Sequence, residues 1–149
     1  MNETRGPRAG REIVLRVRGV EVIARLEEEL APEGSRRLWE ALPIRADLLQ
    51  SRWSGATTYA FVPELCDPGL AVENAATFMY PGTVNLGPSK GNLGLPYGQA
   101  QSRDLGGDNT WGTHVATLVG DTGPFFAVLR AIVREGATEL NISRKGEGS

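Results

Sequence analysis

The side chains able to move a proton, hold a charge or steady an oxyanion gather in one stretch of this 149-residue chain. Gly82 to Gly112 reads GTVNLGPSKGNLGLPYGQAQSRDLGGDNTWG and runs directly into THVATLV, which carries the only histidine, His114. An imidazole, with an unperturbed pKa near ~6.5, is a general acid or base around neutral pH. Tyr97 and Asn109 add a phenol and an amide able to hydrogen-bond the same substrate. Arg103 and, earlier in the chain, Arg52 offer the N–H groups that hold a carboxylate or carbonyl. Trp53 and Trp111 supply flat walls, and backbone N–H groups around Gly106 and Gly107 are suited to face a developing negative charge. Together these residues describe a pocket at one mouth of a rolled sheet for a small polar or anionic amide, lactam or other carbonyl compound. His114, Tyr97 and Asn109 would carry metal-free acid/base chemistry, and Arg52, Trp53, Arg103, Trp111, Gly106 and Gly107 would bind substrate. No cofactor is implied.

Each residue has a plainer alternative. His114 opens a strand whose face it would share with Ala116 and Leu118, so a buried, hydrogen-bonded histidine fits as well as a catalyst. Arg52 alone packs its stem on Trp53. Asn109 alone forms a side-chain turn, and Tyr97 and Trp111 alone fill core. A non-catalytic ligand-binding module, a homo-oligomer, or a subunit of a larger amidohydrolase-type assembly therefore stands beside the enzyme reading.

Other chemistries lack their residues. One histidine excludes a multi-histidine metal site, and the lone Cys66 excludes an internal disulfide. Cys66 has no basic neighbour to activate it as a nucleophile. GxGxxG and a phosphate loop ending in Gly-Lys-Ser/Thr are absent from the sequence. The net charge of −2, with no basic stripe, lacks the electrostatic footprint of nucleic-acid binding. No apolar run reaches the ~20 residues that span a bilayer, and the polar start MNETRGPRAGRE is unlike a signal sequence, so a cytoplasmic location is expected. Residues 51 to 110 carry only Arg52, Lys90 and Arg103 against Glu64, Asp67, Glu73, Asp104 and Asp108. A middle so poor in charge and rich in glycine is either deeply packed or shaped around a ligand.

The elements that must position this set are short strands. EIVLRVR and VEVIARL alternate apolar and polar residues on either side of Gly19, the pattern of a hairpin. Pro32 opens a helix with Leu38, Trp39 and Leu42 on its apolar stripe, and Glu27, Glu28 and Glu29 before it read as a solvated strand end. Strands follow at 45 to 53, TTYAFVP, PGTVNLG, a short LGLPYG, and THVATLVG. Gly123-Pro124 starts a second helix with Phe125, Phe126, Val128, Leu129, Ile132 and Val133 apolar, capped by Gly136 after Arg134. ATELNIS is the last strand. Residues 1–11 read as a disordered leader, 12–143 as one domain and 144–149 as a frayed tail. Two strands, a helix, about five strands, a helix and a strand fit a mainly β protein, a closed antiparallel barrel with two helices covering its ends.

The wording of several segments adds a resemblance. VRGVEVIARLEEELAP with LWEALPI, then SRWSG, then PGTV with LGLPYG, and finally WGTHVATLVGD resemble, in order and spacing, a bacterial family of unknown function with a cyclophilin-like fold. That resemblance implies a cyclophilin-like barrel over residues 12–143. True peptidyl-prolyl isomerases of that fold carry a Phe-His-Arg stretch and an Asn-Gly-Ser-Gln-Phe segment, neither of which occurs here. Arg52 and His114 match them in type only, so proline isomerisation ranks last. Related barrels are similar to subunits of 5-oxoprolinases and allophanate hydrolases, an analogy of fold.

Overall fold

Alternating Ile13, Leu15 and Val17 bury one face of β1 (Glu12–Val17), and Val22, Ala24 and Leu26 do so on β2 (Val20–Leu26). The computed structural model describes residues 10–147, so residues 1–9 of the expected leader and 148–149 of the expected tail lie outside the described residues. After α1 (Pro32–Ala41) come β3 (Ile44–Gln50), β4 (Gly55–Phe61) and a single 3-10 turn at Pro63–Leu65. Two very short strands, β5 (Ala75–Ala76) and β6 (Phe78–Met79), precede β7 (Thr83–Gly87), β8 (Asn92–Gln101) and β9 (Gly112–Val119). Helix α2 (Gly123–Glu135) and β10 (Thr138–Arg144) complete the order.

Every pairing is antiparallel, and the sheet runs β2-β1-β10-β3-β4-β8-β7-β9. It closes on itself where Leu26 of β2 meets Ala116 of β9. Closure removes the free edges that an open sheet would expose. The inward residues Leu48, Ala60, Leu93, Leu86 and Val84 stand side by side across β3, β4, β8 and β7, and all are sealed from solvent.

The helices cover the barrel through their apolar stripes. Leu38 of α1 is fully buried, while Trp39 is half-buried between the guanidinium groups of Arg11 and Arg144, at 4.5 and 4.6 Å from the ring centre. Phe125, Leu129 and Ile132 of α2 are buried, each contributing about 1.5–3 kcal/mol by leaving water. Val133, counted with that stripe from sequence, is exposed, because it falls on the far side of the helix. Gly136 caps α2 with φ +88, a left-handed backbone that glycine adopts without strain.

Three expectations about strands are corrected. The supposedly short LGLPYG strand is the longest, ten residues, because it pairs with β4, β7 and β6. Pro96 sits beside a register shift between Gly55 and Thr57, a place where a residue without an N–H is tolerated. The third strand stops at Gln50, which leaves Arg52 and Trp53 in the turn before β4. The third correction is at the acidic run: Glu27 and Glu28 are engaged rather than merely solvated, by Thr117 and Arg11 respectively.

Candidate ligand-binding site

Outward positions on two neighbouring strands are unusually small. On β7 and β8 they are Asn85, Gly87, Asn92 and Gly94, and the register sets Asn85 opposite Gly94 and Gly87 opposite Asn92. Tyr59 and Phe61 face outward on β4, opposite Gly94 and Asn92. A patch of sheet surface with two glycines and two asparagines between bulkier neighbours is a hollow. A Cβ added at Gly94 would stand 3.4 Å from Met79 Sδ, so β6 roofs that hollow closely. The other wall is a hairpin excursion between β8 and β9, in which Ser102 and Thr110 share a 2.6 Å hydroxyl hydrogen bond and Arg103 bridges to Asn109. The turn before β4 adds Trp53, whose Nε1–H donates to Arg103 O at 3.3 Å and ties the two walls together.

The result is a cavity of about 330 Å³ on the outer wall of the barrel. That volume is at the lower end of the ~300–1,000 Å³ of small-molecule sites. Its aromatic lining is Trp53, Tyr59, Phe61 and Trp111, with Met79 and Leu105 adding apolar surface. Tyr59 and Phe61 pack edge to face at 5.7 Å. Its charged lining is Arg52, Lys90, Arg103 and Asp104. The cavity is not at a barrel mouth, as expected from sequence, because the interior is filled with hydrocarbon and the helices cover it.

Arg52, Trp53, Arg103 and Trp111 all line this cavity. His114, Tyr97, Asn109, Gly106 and Gly107 do not. Tyr97 has the inward parity of Leu93 and Leu95. Its hydroxyl donates to Gln50 Oε1 at 2.6 Å, with Arg130 of α2 lying 6.0 Å from its ring centre. Asn109, Gly106 and Gly107 form the far end of the hairpin. Gly107 turns the chain with φ +87, and its N–H is already committed to Asp104 O at 3.0 Å. Asp104 Oδ1 accepts from the Asp108 N–H at 3.0 Å, which holds the same turn.

His114 is the largest displacement from expectation. Val84 pairs with Ala116 but Asn85 pairs with His114, so Val115 is the extra residue of a bulge. The bulge moves His114 off the face of Ala116 and turns it outward with Thr117. Its Nε2 lies 2.9 Å from Thr117 Oγ1, and that hydroxyl donates to Glu27 Oε2 at 2.5 Å. With its proton given to Glu27, the hydroxyl accepts from His114, which assigns the N–H to Nε2. The chain of three side chains crosses the β2–β9 seam where the barrel closes.

Lys90, Asn85, Asn92, Gly94, Tyr59 and Phe61 were not singled out from sequence. Their signal was present as VNLG and NLGL, where asparagine and glycine take one face of each strand and leucine the other. Among the described residues, no group of three or more His, Cys, Asp or Glu is gathered to hold a metal ion. No helix among them is long and apolar enough to cross a membrane.

Residues 13–144 match the family described as "Protein of unknown function (DUF3830)". The chain belongs to that family. No curated protein matches it in sequence. Among solved structures, one described as McbB in complex with tryptophan is similar with a TM-score of 0.70 at 23% identity. The likeness covers 92% of this chain and 46% of that one, so the chain spans less than half of that protein's length. The solution structure of the hypothetical protein AF2241 from Archaeoglobus fulgidus is similar with a TM-score of 0.62 at 17% identity, over 94% of this chain and 99% of that one. Both likenesses concern the fold.

Proposed function

We propose that this member of the family is a small-molecule-binding barrel of cyclophilin-like kind, with its site in the outer-wall cavity over β4, β8 and β7. The observation that carries this reading is the hollow itself. The outward faces of β7 and β8 give up side-chain volume at Gly87 and Gly94, while aromatic residues stand around the space they leave. A cavity of this size with apolar walls and few polar groups is what a small organic ligand requires. Arg52, Trp53, Arg103 and Trp111 are the binding residues in this reading, and His114 secures the barrel seam. That the structure of McbB, a similarly folded protein, is a complex with tryptophan agrees with a ligand of this scale.

The test is a titration with indole and its 3-acetate, 3-acetamide and 3-ethylamine (tryptamine) derivatives, followed by NMR at the indole N–H signals of Trp53 and Trp111. At least one compound is expected to shift both signals, and Gly94→Leu, which fills the hollow beneath Met79, is expected to abolish the shifts while circular dichroism stays unchanged. If none of the four compounds moves either signal, the reading is wrong. A second reading is a binding module within a larger assembly. Light scattering coupled to size exclusion tests it: a monomer at all concentrations, with no partner retained on purification, argues against it.

A further inference from the structure

One wall of the cavity is a turn with almost no regular structure to hold it. Ser51, Arg52, Trp53 and Ser54 all line the cavity, yet they fall between the last residue of β3 and the first of β4. The turn also comes close to β8: a Cβ added at Gly55, where φ is +98, would stand 2.7 Å from Gln99 O. Irregular backbone of this kind carries carbonyl groups that no strand ladder satisfies, and each needs a donor from elsewhere.

Gln50, the last residue of β3, supplies donors for two of them. Its Nε2 donates to Ser51 O and to Gly55 O, each at 3.0 Å, so one amide spans the two ends of the turn. An amide nitrogen has two N–H groups, and both are used. The Oε1 atom accepts from the Tyr97 hydroxyl at 2.6 Å. That bond fixes which end of the amide faces the turn. Flipped over, Oε1 would meet two carbonyl oxygens, and the Tyr97 hydroxyl would lose its acceptor. Tyr97 is itself anchored, since its ring packs against the buried core and Arg130 of α2 lies 6.0 Å from the ring centre. Neither Gln50 nor Tyr97 lines the cavity. On the other side of the turn, Ser54 O accepts from the Gln101 N–H at 2.8 Å, and Trp53 reaches Arg103 O as described above.

Resting on the reading of this cavity as a ligand site, we infer that Gln50 and Tyr97 are its positioning residues: a core-anchored phenol orients an amide, and the amide clamps the turn that presents Trp53. Tyr97, expected from sequence to touch substrate, serves the site at one remove. Loss of the clamp frees the turn but leaves the barrel strands paired, so binding falls without loss of the fold.

NMR of the full chain at the indole N–H signals, with Gln50→Met and Tyr97→Phe, tests this. Methionine keeps the length of the side chain and removes its hydrogen bonds. Without ligand, both substitutions are expected to move the Trp53 signal and leave in place that of Trp39, held between Arg11 and Arg144. In calorimetric titrations with indole and its 3-acetate, 3-acetamide and 3-ethylamine derivatives, each compound that binds the unsubstituted chain is expected to bind the variants about three- to tenfold more weakly. The double variant is expected to match Gln50→Met alone, because Tyr97 acts through Gln50. Leu15→Ala, a truncation at a fully buried position of β1, is expected to lower the urea midpoint without moving the Trp53 signal or the affinity, which separates positioning from stability. Tyr97→Phe deletes a single hydroxyl and carries the test if Gln50→Met does not fold. A Trp53 signal and an affinity unchanged in both variants overturn the inference, as does a Leu15→Ala variant that reproduces their effects. If none of the four compounds binds the unsubstituted chain, the ligand reading falls, and the Trp53 signal of the ligand-free variants still decides whether the clamp holds the wall.

Discussion

Replacing Thr117 by valine isolates what His114 does. The substitution keeps the branched shape and removes one hydroxyl, which donates to Glu27 Oε2 at 2.5 Å and faces His114 Nε2 at 2.9 Å. A hydrogen bond to a charged group contributes about 1.5–3 kcal/mol and a neutral one about 0.5–1.5. Thr117 is half-buried, so water replaces part of what is lost. The net destabilisation is then roughly 1–2 kcal/mol. With a urea dependence of about 2 kcal/mol per molar for a domain of this size, the unfolding midpoint should fall by roughly 0.5–1 M. Binding in the cavity should not change, because neither Thr117 nor His114 lines it. Urea unfolding followed by tryptophan fluorescence measures the first, and calorimetry with indole-3-acetate the second. A midpoint unmoved within about 0.2 M, on the same slope, would refute the seam-holding role. So would a stable variant that no longer binds, since that places the imidazole network in the site's own machinery.

Two further outcomes follow from the same geometry. Glu12 is held below its ordinary 4.5 first by the hydrogen bond from Lys145 and then by that from Arg25, and Glu28 is likewise lowered chiefly by Arg11. Carboxyls lowered on folding add stability that is present above their unfolded value and lost as pH falls through the folded one. Urea midpoints should therefore drop as pH goes below about 4.5, and Glu12→Gln should flatten that decline; a variant with an unchanged acid limb contradicts it. Leu93→Ala, at a fully buried position inside the barrel, should cost about 2–5 kcal/mol, whereas Leu105→Ala on the exposed hairpin should stay within about 0.5 kcal/mol. Thermal or urea unfolding of the pair checks this, and equal effects would contradict the assignment of interior and exterior.

The sequence alone determined the fold class and the main elements, though not the two-residue strands β5 and β6. Period-two alternation marked the strands because each has one face in hydrocarbon, and Pro32, Pro124 and Gly136 marked helix ends through local backbone chemistry that needs no partner. It also held the charge accounting: only three cations occur between residues 51 and 110, and they are the three that line the cavity. Tertiary structure decided where those residues meet. A single extra residue, Val115, reversed the face of His114, and a bulge of that kind depends on pairing with β7, which no local pattern of β9 encodes. Closure of the barrel likewise filled its inside with side chains and left the hollow on the outside. Which face of a half-polar strand holds a cavity depends on what other strands bring against it, in this fold Met79 and the 102–111 hairpin.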